Sequence, residues 1–208
     1  PATQQTPRNI RRLCVGLLAA ICLQIAAGGL VAGLKAGHIS DTFPKMFGAW
    51  VPTGLWAMQP PLVNLIDNAA TVHFQHRFFA FAVLALALWS WWAIRRQAPH
   101  LQIIALWVLG LLIVQIGLGV VTVLLHVQLG VASSHQAVAV ALFCAVLFLC
   151  HRASDDVLPK QIARRQKVIH APSDVVLRQY VAPTIGMDRV EHQVGTPPDT
   201  LEDKLDDR

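Results

Sequence analysis

Apolar residues along this chain cluster into four long segments, and polar stretches separate them. The segments cover about residues 13–34, 71–94, 101–125 and 131–150. Each is close to the roughly 20 mostly apolar residues with which a helix crosses a bilayer. None of the four contains Asp, Glu or Lys. The pattern predicts an all-α, polytopic membrane protein whose four spans form a helix bundle.

The polar stretches predict how the chain is divided. Residues 1–12 form an amino-terminal segment, residues 13–151 form the bundle with one long loop at 35–70, and residues 152–208 form a tail. Several prolines in the loop favour an ordered, turn-rich cap over a free linker. The tail is polar and ends in the acidic LEDKLDDR, which predicts a largely disordered extension.

The composition is typical of a membrane protein and argues against nucleic-acid binding, a disulfide framework and a zinc site. The chain is 54% hydrophobic and 14% charged, against about 25% charged residues in an ordinary soluble domain. The net charge is +5, but the basic residues flank apolar segments and form no patch for nucleic acid. The four cysteines lie in apolar segments without CxxC spacing, which argues against a disulfide framework or a zinc site.

Basic residues predict the direction of the spans. Arginines precede the first span, follow the second and follow the fourth, at positions that include Arg12, Arg95 and Arg152. The loop at 126–132 has no Lys or Arg. By the positive-inside rule both termini face the cytoplasm, and the loop at 35–70 faces outward.

Two histidines lie inside spans at matching depths. His76 is 19 residues before Arg95, or about 28 Å along a helix, and His135 is 17 residues before Arg152, or about 26 Å. Both spans run from outside to inside, so the two imidazoles lie near the outer edge of the hydrocarbon. There they can face each other as axial ligands of a flat metal centre such as haem. The alternative is that both are hydrogen-bonded to backbone or to interfacial water.

Other residues with useful chemistry lie at the same level. The guanidinium of Arg77 matches carboxylate geometry and predicts a contact with a haem propionate, whereas the alternative is that it reaches lipid headgroups. His73, one turn further out, is predicted to orient a ligand, contact a propionate or lie at the interface. Glycines recur in the first and third spans, where they allow another helix or a flat ligand to approach closely.

Four collinear stretches resemble the carboxyl-terminal half of the haem A synthases. They are GGLVAGLKAGHISDTFPKM (28–46), GAWVP (48–52), WAMQPPLVNLIDNAATVHFQHRFFAF (56–81) and GLGVVTVLLHVQLGVASSHQAVAV (117–140). The resemblance covers about residues 10–151. It is closer to the proteobacterial and mitochondrial type than to the type with paired loop cysteines, which this loop lacks.

The resemblance implies a fold, a cofactor and an activity. Haem A synthases are eight-span proteins made of two similar four-helix halves, and they oxidise the methyl group at position 8 of haem O to the formyl group of haem A. In the carboxyl-terminal half a histidine pair holds a haem B cofactor, and this pair corresponds to His76 and His135. Arg77, and also Lys35 or His38, would meet propionates at the outer surface.

The sequence corresponds to only one of the two halves, and no acidic residue lies within a span to match the one that the amino-terminal half carries. The resemblance therefore implies a homodimer or a separate amino-terminal half as partner, beside membrane lipid and haem O. A haem O synthase or an oxidase assembly protein is a further expected partner. The catalytic residue stays open. The expected location is the bacterial inner membrane, with the mitochondrial inner membrane as the alternative.

Two other functions remain open from the sequence. A b-type cytochrome that carries electrons would have the same bis-histidine haem without acting on a substrate. A structural membrane subunit would hold no cofactor, and its histidines would contribute only to stability. Detection of haem A after a supply of haem O separates a synthase from both.

Overall fold

The computed structural model describes residues 6–154, so the predictions for the tail from 155 onward lie outside the described part. The helices within it are α1 Arg8–Gly33, α2 Asn64–Asp67, α3 Ala69–Gln97, α4 Gln102–Leu124 and α5 Leu129–Ser154. Between residues 6 and 154 there is no β-strand, only an isolated bridge between Met46 and Ala49. The predicted all-α class is confirmed.

Four of these helices, α1, α3, α4 and α5, are long and apolar enough to cross a membrane, in agreement with the predicted spans. Their ends differ from the predicted ones. α1 begins at Arg8 rather than near residue 13, and α5 continues to Ser154, beyond the predicted start of the tail at 152. Helical hydrogen bonding does not stop where the apolar sequence stops, because arginines at the end of a span extend their charges toward water.

The start of α3 is fixed by a side chain. Asn68 caps the helix by accepting hydrogen bonds from the backbone N–H groups of Ala70 (3.0 Å) and Thr71 (3.3 Å). At the other end, a 3-10 turn at Pro99–Leu101 leads into α4, and proline suits a first helical position because no N–H is needed there. These signals set the register of the span that carries His76.

The four long helices form a ring. α1 contacts α3 and α5, and α4 contacts the same two helices. α1 and α4 therefore lie on one diagonal of the bundle, and α3 and α5 lie on the other. Asn9 at the start of α1 donates to Gln97 at the end of α3 (2.7 Å), so these two helices are antiparallel. Because successive spans alternate in direction, the two helices of each diagonal run the same way.

Buried apolar side chains fill the inner half of the bundle, where α1 starts and α5 ends. The members of this core from the four long helices are Ile10, Cys14, Leu17, Ile21, Val83, Ala87, Ala93, Ile94, Ala105, Val108, Leu109, Leu112, Leu142, Val146, Leu149 and Ala153. The first turn of α3, at the opposite end, also holds buried residues, Thr71, Val72 and His73. We call the stretches between these two buried regions and the helix ends, 22–33, 74–82, 113–124 and 129–141, the outer half of the bundle. No residue in these stretches is buried. His76 and His135 both lie in this outer half.

The loop between α1 and α3 has an internal anchor. Asn64 is fully buried, and its side chain accepts hydrogen bonds from Met58 N–H and Asn68 Nδ2. The same side chain donates to the carbonyls of Met58 and Pro61. One amide thus holds the end of the loop against the start of α3. The loop also contains two 3-10 turns, at Ala36–His38 and Pro61–Val63.

Candidate functional site

His76 lies in the outer half of α3 and is held from α1. The side-chain amide of Gln24 donates to the backbone carbonyl of His76 (Nε2 to O, 2.9 Å) and lies 3.2 Å from the ring atom Nδ1. Gln24 thereby ties both the ring and the main chain of His76 to the first helix.

His135 lies in the outer half of α5 and is held from α4. Its Nδ1 is 3.1 Å from the backbone carbonyl oxygen of Gln115, and its Nε2 is 3.4 Å from the side-chain nitrogen of the same residue. A carbonyl oxygen has two lone pairs, so it can accept the ring N–H in addition to its helical hydrogen bond. With Nδ1 as the donor, Nε2 keeps the lone pair that a metal ion needs.

Glycines on the neighbouring helices give both rings their space. A Cβ atom at Gly28 would lie 3.1 Å from Cε1 of His76, and one at Gly119 would lie 3.0 Å from Cε1 of His135. Carbon atoms normally approach to about 3.5–4.0 Å, so a side chain at either position would push the ring away. Each ring therefore packs directly on helical backbone.

The two rings lie in the outer half of the bundle, on the two helices of one diagonal. Two imidazoles that approach from opposite sides can bind the iron of a flat macrocycle. Within residues 6–154 no group of three or more His, Cys, Asp or Glu residues could hold a metal ion. A metal bound here would therefore take its other ligands from a cofactor.

His73 and Arg77 connect α3 to the outward loop. His73 is only 2% exposed, and its Nε2 accepts a hydrogen bond from Arg77 Nε at 2.9 Å. Arg77 also donates to the carbonyls of Thr42 (2.7 Å) and Ser40 (3.2 Å). All three nitrogens of the guanidinium are thus bonded within the protein, and the pair fastens the loop to the helix.

Lys35 and His38, the other two residues expected to meet propionates, lie just beyond α1. Lys35 has a left-handed backbone conformation (φ 51°), and both side chains are exposed. Their exposure leaves them accessible to an anionic ligand at the outer surface. His126 lies further along this surface, with its Nδ1 3.8 Å from the carboxylate of Asp41.

Sequence reasoning missed the two glutamines. Gln24 and Gln115 lie inside apolar spans, and each is followed four residues later by a glycine that contacts a histidine ring. An uncharged amide in a span is itself a signal, because a polar side chain in hydrocarbon needs a hydrogen-bond partner. The repeated spacing from Gln to Gly is the pattern that could have found both.

The chain matches the model of the COX15-CtaA family, described as cytochrome oxidase assembly protein, over residues 1–147. It is 37% identical over 144 residues to a haem A synthase of Parvibaculum lavamentivorans, which covers 69% of this chain and 41% of the relative. It is 45% identical over 134 residues to the haem A synthase of Chelativorans sp., covering 63% of this chain and 37% of the relative. The corresponding protein of Rhodopseudomonas palustris is 44% identical over 143 residues, or 67% of this chain and 39% of the relative.

The chain spans about two fifths of the length of these curated relatives. No solved structure matches it at a significant level. The family match and the four long apolar helices together identify an integral membrane protein.

Proposed function

Because the chain belongs to the COX15-CtaA family of cytochrome oxidase assembly proteins, we propose that it binds haem B between His76 and His135 and takes part in the oxidation of haem O to haem A. The observation that carries this proposal is the pair of half-buried imidazoles on one diagonal of the bundle, each held by a neighbouring helix. The matched region, 1–147, contains both histidines.

The residues around the two rings fit such a cofactor. Gly28 and Gly119 bring the rings against helical backbone, which leaves little freedom for the ligand nitrogens. The side-chain oxygens of Gln24 and Gln115 are buried and have no hydrogen-bond partner among residues 6–154. Buried polar atoms without partners are rare in native proteins, so these amides fit a site in which hydrogen bonds change when a ligand binds.

Haem supplies the redox chemistry that an unactivated methyl group requires, which side chains alone do not provide. The residues of the chain bind and orient the cofactor. His76 and His135 would hold the iron, and the apolar side chains of the outer half would keep water away from it. Proton transfer at the substrate is assigned to no residue of this chain.

The propionates of the cofactor are proposed to lie toward the outer loop, near Arg77, His73 and Lys35. Arginine pairs with carboxylates through two parallel hydrogen bonds. The Arg77 guanidinium already donates to two loop carbonyls, so a propionate at this position would couple haem binding to the conformation of the loop.

The proposed location is the bacterial inner membrane, with the inner half of the bundle toward the cytoplasm because the flanking arginines lie there. Lipid surrounds the apolar helices, and haem O is apolar enough to enter from the lipid. The proposed partner is a second copy of the chain or a separate amino-terminal half, since a symmetric interface can pair two four-helix units. A haem O synthase or an oxidase assembly protein is a further proposed partner.

One observation favours a second candidate function, electron transfer by a b-type cytochrome. None of the helices α1, α3, α4 and α5 contains Asp or Glu. A bis-histidine haem that only carries electrons needs no carboxylate within the spans to move a proton. Both functions would use the same two histidines, so they are distinguished by whether haem A is formed.

The test is extraction of pigment from the purified, detergent-solubilised chain after expression in cells that make haem O. Chromatography and mass spectrometry identify the haems. Haem B together with haem A or its hydroxylated precursor supports the synthase. Haem B alone supports the cytochrome, and a colourless protein contradicts both.

We expect His76→Ala and His135→Ala each to abolish stoichiometric haem binding while the chain still inserts, because each change removes one of the two residues proposed to hold the iron. The matched control is His126→Ala, since that side chain is 74% exposed and lies at the outer surface. The control should bind haem normally. A normal bis-histidine absorption spectrum in either ligand variant would refute the assignment.

A further inference from the structure

The first and third spans repeat one short pattern. Residues 24–28 read QIAAG and residues 115–119 read QIGLG, so Gln, Ile and Gly recur at the same spacing. Residues four apart lie on the same face of a helix. In α1 this face contacts His76, and in α4 it contacts His135.

The arrangement of the helices repeats with the pattern. α1 packs on α3, α4 packs on α5, and the two supporting helices lie on the diagonal opposite to the one that carries the histidines. Each helix pair therefore contributes one imidazole and one support. An exchange of the two pairs about the bundle axis exchanges Gln24 with Gln115 and Gly28 with Gly119.

Helix geometry explains why the pattern has this spacing. The carbonyl of residue i points along the helix toward residue i+4, whose N–H it accepts. A side chain at i+4 stands beside that carbonyl, whereas glycine leaves it open to a close neighbour. Gly119 in this way exposes the carbonyl of Gln115, which is 3.1 Å from His135 Nδ1. Gly28 leaves the corresponding space on α1, where the His76 ring lies against it.

We propose that Gly28 and Gly119 are positioning residues: each leaves the space in which a histidine ring of the facing helix packs, and Gly119 also opens the Gln115 carbonyl to His135 Nδ1, which directs the other ring nitrogen toward the cofactor. The inference rests on the proposed function in that it takes the two rings as iron ligands. Metal-bound histidine usually donates its second N–H to such an acceptor, which fixes the tautomer and the ring orientation.

The contacts that orient the two histidine rings differ. At His135, the only acceptor within hydrogen-bond reach of Nδ1 among residues 6–154 is the Gln115 carbonyl. At His76, the atom 3.2 Å from Nδ1 is the side-chain nitrogen of Gln24, which also donates to the His76 carbonyl, so Gly28 contributes only the space for the ring. We therefore expect alanine at 119 to be more harmful than alanine at 28.

The experiment compares Gly119→Ala and Gly28→Ala with Gly117→Ala and Gly29→Ala in the full chain. The controls lie on the same helices, and a Cβ atom there would meet nothing within 4 Å. Titration with haem B should give a dissociation constant about 10- to 100-fold higher for Gly119→Ala, the usual cost when a metal-binding histidine loses the acceptor for its other ring nitrogen. The increase for Gly28→Ala should be smaller, and the two controls should stay within about twofold of the parent.

The reduction potential separates positioning from a general loss of packing. Loss of the acceptor at His135 makes that ring a weaker donor to iron, so the reduction potential should rise in Gly119→Ala but not in the controls. Equal affinities and potentials in all four variants would overturn the inference.

A second readout needs no haem. In the haem-free chain, ¹⁵N NMR of His135 should report the tautomer protonated at Nδ1, and Gly119→Ala should reduce its population. Protonation at Nε2 in the parent chain would overturn the inference even if Gly119→Ala failed to fold. A parent chain that shows the Nδ1 tautomer but takes up no haem B would refute the proposed function and support the positioning of the ring.

Discussion

The inner and outer halves of the bundle differ in the side chains that they contain and in how deeply those side chains are buried. In the inner half all four helices contribute fully buried apolar side chains, such as Ile94 and Leu149, which are at most 1% exposed. In the outer half no residue is buried as a whole, and polar rings and amides meet helical backbone across glycines. A close-packed core tolerates little rearrangement, whereas half-buried polar groups can exchange partners. Stability and ligand contact are thus separated along the direction that crosses the membrane.

The largest expected effect comes from a cavity in the inner half. Leu149→Ala removes a side chain that is 1% exposed from the core. Such truncations cost about 2–5 kcal/mol in water-soluble proteins, and we expect about 2 kcal/mol here because lipid tails are as apolar as leucine. The free energy of unfolding can be measured in mixed detergent micelles. Bound haem B per folded chain should stay unchanged.

Val140→Ala is the control for this cavity. Val140 lies on the same helix, α5, but in the outer half, and it is 62% exposed. Its truncation should change the free energy of unfolding by less than about 0.5 kcal/mol, as is usual for exposed positions. Equal losses for the two variants would show that the inner core is not what stabilises the bundle.

The membrane spans and the depths of the two histidines could be predicted from the sequence, whereas the ends of the helices could not. The spans were predictable because a bilayer demands a minimum apolar length, and the matching depths of His76 and His135 followed from their distances to the inner arginines. In the structure both rings lie in the outer half of the bundle, on the two helices of one diagonal. The ends of α1 and α5 were not predictable from hydropathy, because helical hydrogen bonds continue past the apolar residues.

The supporting contacts were harder to predict, because they depend on how distant segments pack. Gln24 reaches a histidine 52 positions away, and Arg77 reaches loop carbonyls 35 and 37 positions away. Every residue has a backbone carbonyl, so no sequence motif indicates which carbonyl will accept a hydrogen bond. Only the repeated spacing between glutamine and glycine was visible in the sequence.

A smaller effect is expected where the loop covers the outer half. Arg77→Leu removes the donors to Ser40 and Thr42 and leaves the buried His73 without its partner. The loop should open more often, and its rate of cleavage by a protease should rise about fivefold, or about 1 kcal/mol, the typical net value of a hydrogen bond. Haem B affinity measured on the same samples reports whether Arg77 also contacts a propionate.

Arg96→Leu is the matched control for Arg77. The Arg96 guanidinium lies 4.5 Å from the ring centroid of Trp92 at the inner end of α3. Its loss should leave cleavage of the outer loop unchanged. If Arg77→Leu lowers haem affinity without changing cleavage, the propionate is its main partner and the loop contacts are secondary.

The smallest expected effect distinguishes the two glutamines. Gln24 donates a 2.9 Å hydrogen bond to the His76 carbonyl, whereas the Gln115 amide makes only the 3.4 Å contact with His135 Nε2. Hydrogen bonds between membrane helices average about 0.6 kcal/mol. We therefore expect Gln24→Leu to lower the free energy of unfolding by about that amount and Gln115→Leu to leave it nearly unchanged. Both changes should lower the free energy of unfolding by less than Leu149→Ala does, because the outer half contributes little to stability. A loss of about 2 kcal/mol for Gln24→Leu would show that this amide stabilises the bundle as much as a core leucine does. The inner and outer halves would then not differ in their contribution to stability.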